Sequence, residues 1–190
     1  MRLALIALVL TLAATAPAAM ISFDDLSATS NIGRSLPADY AGVVWDASVH
    51  YMTESAYPTY SEPHSTPNYV YNYGQEDDAT IAFSFLDPDA YVTSAWFTQA
   101  STSPEQAVRL LGLDASGATL YTSDWLTLSA TPQQLLATGF GPCARIVVER
   151  QLTSWARFSM DDIAYEILPE PLTLAVLGCG ALIFLRRRRH

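Results

Sequence analysis

The chain has 190 residues, half of them of apolar type, and a formal charge of −9. Between Met20 and Leu168 only five arginines, and no lysine, oppose 18 carboxylates, a net −13, so a phosphate backbone finds no footprint and nucleic acid is excluded as a partner. That sign suits solubility in a salty or cation-rich exterior as well as a specific cation role, and once terminal targeting segments are set aside the length is that of one domain with one core.

The chain opens with Met1-Arg2, an apolar run over residues 3–14 and the small-residue site Ala16-Pro17-Ala18. These are the three parts of a secretory signal. A leader of residues 1–19, passed by the Sec machinery and cut after Ala18 or Ala19, is therefore expected.

In residues 20–167 alternation with period two is common and long helical periodicity is not. Ile81, Phe83 and Phe85 point one way with Ala82 and Ser84 between them, and Asp87-Pro88-Asp89 ends the run, which predicts a strand. Further strands are predicted at 42–48, 91–99, 107–113, 118–121, 125–128, 144–150 and 158–167. Asp114 to Gly117 reads as the reversal of a hairpin. Short strands with turn chemistry between them predict an all-β fold, a single antiparallel β-sandwich or jelly roll.

Residues 31–73 are rich in Pro, Ser, Thr, Asn and Tyr and read as a long ordered surface loop. Two roles fit its aromatic residues. Trp45, Tyr51, Tyr57, Tyr60, Tyr69 and Tyr71 can stack on the C–H faces of a sugar while their polar edges stay wet, or the tyrosines can cap the open ends of the core.

Two carboxylate pairs flanked by apolar residues stand near the ends of this region, Asp24-Asp25 and Asp161-Asp162. If the terminal strands are neighbours, four carboxylates meet and repel unless a hard cation neutralises them, and Ca²⁺ accepts such flexible oxygen ligation. The alternative is a pair of Asp residues where a strand meets a solvent-exposed turn. No disulfide is expected, because Cys179 lies in the C-terminal apolar segment, away from Cys143.

Catalysis finds little support. The region holds only His50 and His64 as imidazoles, and it has no Gly-x-Ser-x-Gly elbow, phosphate loop or dinucleotide fingerprint. Cys143 reads as a small, partly buried residue. Paired carboxylates serving as a glycosidase acid and base are the enzyme alternative that remains.

Residues 168–190 contain Pro169-Glu170-Pro171, an uncharged apolar stretch over 172–185, and then Arg186, Arg187, Arg188 and Arg189 before His190. The stretch makes a helix of about 21 Å against a hydrocarbon core of about 30 Å, a marginal span. The arginines hold its end on the cytoplasmic side and the acidic domain outside.

This tail resembles the PEP-CTERM sorting signal in the order of its three parts, with Leu172 departing from the small residue common after the second proline. The resemblance implies handling by an exosortase, a membrane transpeptidase that would cut near Pro169-Glu170-Pro171 of an inner-membrane-anchored precursor. Phe23-Asp24-Asp25, the 40–45 segment, the mid-domain hairpin and the 158–163 segment also resemble galactose-binding-like sandwich modules of PEP-CTERM proteins. That resemblance implies a structural calcium near the terminal strands and sugar contacts at loop tips. The combined expectation is a non-catalytic structural or adhesive module at the cell surface or secreted into an extracellular polysaccharide matrix. A lectin-like carbohydrate-binding module and a glycoside hydrolase-like enzyme are its alternatives.

Overall fold

The computed structural model describes residues 18–27, 33–53, 62–72, 80–100, 106–151 and 157–168. Of the expected leader 1–19, residues 1–17 lie outside these residues, as do residues 169–190 of the expected tail and Tyr57 and Tyr60. Among the described residues no helix is long and apolar enough to cross a membrane.

Among the described residues thirteen strands run in chain order: β1 (Ala19–Ile21), β2 (Arg34–Ser35), β3 (Val43–Trp45), β4 (Val49–Thr53), β5 (Asn68–Asn72), β6 (Ala82–Phe85), β7 (Ala90–Gln99), β8 (Ala107–Leu113), β9 (Thr119–Thr122), β10 (Leu126–Thr127), β11 (Gln133–Leu136), β12 (Arg145–Arg150) and β13 (Phe158–Ile167). A 3-10 turn, Tyr40–Gly42, leads into β3. The strands form two antiparallel sheets, so the expected all-β sandwich is the fold. The first sheet has the order β11-β7-β13-β5-β4-β2, with β1 also on β13; the second has the order β10-β8-β12-β6-β3, with β9 also on β8.

The alternation read in the sequence marks the second sheet well. Ile81 and Phe83 enter the core and Phe85 packs against it. The hairpin between β8 and β9 closes as its turn chemistry requires. Asp114 N–H donates to Ala118 O at 2.9 Å and Gly117 N–H to Asp114 O at 3.0 Å, while Gly117 takes the φ of +86° that a side chain resists.

The region 31–73 differs from the expected loop, because besides β3, which falls within the strand predicted at 42–48, it supplies β2, β4 and β5. Every residue of β5 is buried, and four of the five in β4. A strand covered on both faces does not alternate in polarity, which is why period-two reasoning passes over Asn68-Tyr69-Val70-Tyr71-Asn72.

Between the sheets an aromatic column locks the N-terminal segment to the second sheet. The Phe23 ring lies 5.7 Å from Trp45 and 5.7 Å from Tyr40, and Trp45 lies 5.0 Å from Phe83. Each such ring removed from water contributes roughly 2–3 kcal/mol. A second, smaller cluster of Met52, Tyr69, Tyr71 and Ala100 sits apart from this core.

β13 is the hub of the first sheet. β7 flanks it on one side along most of its length. On the other side it pairs with β5 through Ser159 and Met160, then with β1 through Ile163 to Tyr165. The exchange of partners falls at Asp161-Asp162, where the register against β7 also shifts.

Candidate functional site

Phe158, Met160 and Ile163 of β13 face the inter-sheet core, so Ser159 and Asp161 face the other side of the first sheet. The extra residue of the bulge is Asp162, with φ of +41°. It keeps both carboxylates on this outer face, beneath the segment that covers them, and each residue is only 3% exposed. Charges this deep require partners.

The partners come from the segment between β4 and β5, which crosses this face. Ser65 N–H donates to Asp161 Oδ2 at 2.8 Å, and Ser65 Oγ reaches Asp162 Oδ1 at 3.2 Å. His64 Nδ1 lies 2.6 Å from Asp162 Oδ2. Thr98 Oγ1 donates to Glu62 O at 2.8 Å and holds the same segment to β7. Burial, above all, pushes the Asp161 carboxyl up to about 6. The charges of Asp162 and Asp24 add to the rise, and the Ser65 N–H opposes it.

Asp24 belongs to this neighbourhood, since its charge is felt at Asp161. Its carboxylate accepts Ser22 Oγ at 2.8 Å and Asn68 N–H at 3.4 Å. The Asn68 amide donates to Phe23 O at 3.0 Å and Leu26 O at 2.8 Å, fastening the first turn of the domain to β5. Asn68 Oδ1 is buried without a hydrogen-bond partner. Asp25 is drawn off elsewhere by a hydrogen bond from the Tyr40 hydroxyl, and burial together with Asp25 pushes that phenol above its usual range.

The expected convergence of Asp24, Asp25, Asp161 and Asp162 is thus only partial. Asp161 and Asp162 share their partners, Asp24 is linked to them only through its charge at Asp161, and Asp25 is held apart by Tyr40. Among the described residues no three His, Cys, Asp or Glu side chains are arranged as a ligand set.

The expected sugar contacts need correction. Trp45 is 5% exposed, Tyr51 7%, Tyr69 0% and Tyr71 2%, so none of them offers an open face. Trp45 is a core residue whose indole N–H donates to Tyr40 O at 3.0 Å, and Tyr51 packs in the same cluster. Tyr71 lies beneath Gly33 so closely that a Cβ there would fall 1.7 Å from its hydroxyl. Of the two roles weighed for these tyrosines, packing is the one the fold uses.

The open aromatic surface lies beside them. Trp96, half-buried, is opposite both Asp161 and Gln134 in the register, and the His64 ring stacks on its indole with centroids 3.6 Å apart at 13°. The His64 side chain keeps 36% of its surface in solvent. The next row of the same face runs Leu136, Ser94, Ala164, Met20. Its long members Leu136 and Met20 are 61% and 62% exposed, and the small pair between them leaves a shallow trough. Polar groups line the trough: Gln134 Nε2 donates to Ser94 Oγ at 3.1 Å, and the Tyr91 hydroxyl donates to Glu166 Oε2 at 2.6 Å. The signal for Trp96 was present in the sequence, as an aromatic residue on the outward parity of a strand already recognised.

Glycosidase carboxylates stand apart across an open cleft, whereas Asp161 and Asp162 are adjacent and buried.

Neither a protein-family model nor a curated protein sequence matches the chain. Solved structures do. A DUF4465 family protein from Bacteroides caccae is 10% identical, with a TM-score of 0.52 over 80% of this chain and 94% of its own. The CBM22-1 xylan-binding domain of Paenibacillus barcinonensis Xyn10C is 11% identical, with a TM-score of 0.47 over 79% of this chain and 93% of its own. The K1 cleaved adhesin domain of Lys-gingipain from Porphyromonas gingivalis is 15% identical, with a TM-score of 0.45 over 81% of this chain and all of its own. The first of these supports the sandwich fold and carries no more than the fold.

The buried pair makes stability depend on pH in a defined direction. Folded Asp161 titrates at about 6 against an ordinary 3.8, so its contribution to stability is fully present below pH 3.8 and is lost as the pH rises through 6. The difference corresponds to about 3 kcal/mol. In chelator-treated protein, urea unfolding from pH 4 to 7 should show the wild type losing up to this amount relative to Asp161→Asn, which keeps the acceptor for Ser65 but does not titrate. Parallel stability curves for the two proteins would contradict the assignment.

Proposed function

We propose that this chain is an exported, non-catalytic carbohydrate-binding module that takes its glycan on the outer face of the first sheet. The observation that carries the reading is the Trp96–His64 stack, partly open to solvent beside the Ser94–Ala164 trough. A sugar ring lays its C–H face on an aromatic surface and directs its hydroxyls to polar groups at the edge; Gln134, Glu166 and the Tyr91 hydroxyl stand there. The buried pair beneath fixes His64, and His64 in turn braces Trp96, so the platform is preorganised. Affinity electrophoresis and calorimetry against neutral plant and bacterial glycans should find a ligand whose affinity falls at least tenfold, about 1.4 kcal/mol, in Trp96→Ala. Absence of any glycan ligand, or a ligand indifferent to Trp96→Ala, would sink the reading.

The ends of the chain give this module its place. We propose export by the Sec machinery, followed by processing of the 168–190 tail by an exosortase-type membrane transpeptidase, which leaves the domain at the surface or in an extracellular polysaccharide matrix. Mass spectrometry of the surface-exposed form should find neither the leader nor the segment from Arg186 to His190. An intact Arg186 to His190 on that form overturns processing.

Calcium is a separable part of the proposal. Asp24, Asp161 and Asp162, with Asn68 Oδ1, are the residues that would hold it, and the ion would supply the positive charge that one imidazole leaves wanting. Added calcium should raise the melting midpoint by a few degrees and chelator should reverse the rise. A midpoint that ignores both removes calcium from the account and leaves the glycan face untouched.

A further inference from the structure

The outer face of the second sheet carries a row that the core and the first site do not use. Leu126 of β10 pairs with Val108 of β8, and Glu149 of β12 pairs with Arg109 of β8. Trp125, the residue before β10, therefore stands abreast of Arg109 on β8 and Glu149 on β12. The Arg109 guanidinium lies over the Trp125 ring at 4.5 Å from its centroid, and its Nε donates to Glu149 Oε2.

Among the described residues this row stays open to solvent. Trp125 is 42% exposed, and the side chains of Arg109 and Glu149 keep 29% and 38% of their surface in solvent. Trp125, just before β10, leaves part of its indole free beside the face that Arg109 occupies. The row is also rigid. The ion pair holds the guanidinium plane, and the guanidinium holds one face of the indole, so little rotamer freedom remains to be lost when a ligand arrives.

Its chemistry narrows the ligand. Arg109 and Glu149 cancel in charge, so the strip attracts neither anions nor cations strongly. They present donors and acceptors side by side, the pattern that a pair of neighbouring hydroxyls satisfies, and the indole adds a flat surface for C–H groups. Thr122, exposed on the neighbouring strand β9, adds a further hydroxyl. With strands about 4.8 Å apart, three of them make a strip of about 10 Å, too small for a specific protein interface of about 800 Å² per partner.

We propose that Trp125, Arg109 and Glu149 form a second, independent carbohydrate-binding site, for a neutral glycan, on the face opposite the first. The inference shares its ligand class with the function proposed above, while its residues are entirely separate. Stacked sheets turn their outer faces in opposite directions, so the two sites address two different polysaccharide strands. One module then bridges two chains, and an adhesive role follows without any need for a dimer.

Calorimetry of the exported protein with neutral xylo-, cello- and manno-hexasaccharides tests this, together with light scattering on the corresponding long polysaccharides. The expected stoichiometry is two oligosaccharides per chain, falling to one in Trp125→Ala, to one in Trp96→Ala and to none in the double variant. Glu149→Gln, which preserves volume, should weaken only the second site severalfold. The wild type should cross-link the long polymers, and either single Trp variant should bind them without cross-linking. Trp125 is on the surface, so an unchanged melting midpoint confirms that its variant is folded. The second site falls if Trp125→Ala leaves stoichiometry and cross-linking as they were, if no hexasaccharide binds, or if Trp125 proves to mediate self-association in sedimentation. Loss of all binding in Trp96→Ala alone overturns the second site and leaves the first. Loss of all binding in Trp125→Ala alone overturns the first reading and keeps this one.

Discussion

The architecture of the first sheet depends on keeping two adjacent carboxylates, Asp161 and Asp162, out of water in the middle of its central strand. A strand alternates its side chains, so one of two neighbours would ordinarily point into the apolar core. The bulge resolves the conflict: Asp162 adopts φ of +41° and its backbone N–H donates to Asp161 Oδ1 at 2.8 Å, which keeps both side chains on the polar side. Three features of the sheet follow from this one irregularity. β13 leaves β5 there, takes up β1 there, and shifts register against β7 there.

Burial of the pair also recruits the loop that covers it. Ser65 and His64 are the groups that satisfy the two carboxylates, and they reach them only if the 62–67 segment lies across the sheet. Asn68, the first residue of β5, ties the Phe23 to Leu26 turn to the end of that same segment, and Thr53 Oγ1 donates to Pro67 O at 3.1 Å from the β4 side. The segment therefore divides the outer face in two. On one side Tyr69 and Tyr71 are fully packed; on the other Trp96 keeps an open edge. The division explains how a tyrosine-rich stretch can share a face with Trp96 and yet leave no described tyrosine ring of β4 or β5 open to solvent.

The parts of this arrangement legible in sequence are those governed by period two. β7, β8, β12 and β13 alternate and were recoverable to within a residue or two, as was the Asp114 to Gly117 reversal. β4 and β5 were not, because cover on both sides erases alternation, and the prolines and polar residues around them imitate a loop. The Asp161-Asp162 pair was visible as a pair, but its depth was not, since burial is conferred by His64 and Ser65 almost a hundred positions earlier. Identity failed in the same way for the aromatics: a tyrosine in a Pro-rich stretch and a tyrosine in a doubly covered strand look alike until the sheet order is known. Asp25 shows the converse, a neighbour in sequence of Asp24 that Tyr40 holds in a different contact.

Electrostatics then restrict what can approach either face. The described domain is strongly acidic, and each of its five arginines already has a partner: Arg109 has Glu149 and Trp125, Arg145 has Asp46, and Arg34, Arg150 and Arg157 are each engaged as well. An anionic polymer would meet net repulsion with no uncommitted cation to anchor it, and at about 10 Å the Debye length of dilute salt screens only part of that repulsion. A neutral glycan, as proposed above, would meet no such repulsion, and on that proposal its apolar faces would reach Trp96 on one sheet and Trp125 beside the other, with the ordered polar groups next to each ring taking the place of water at its hydroxyls.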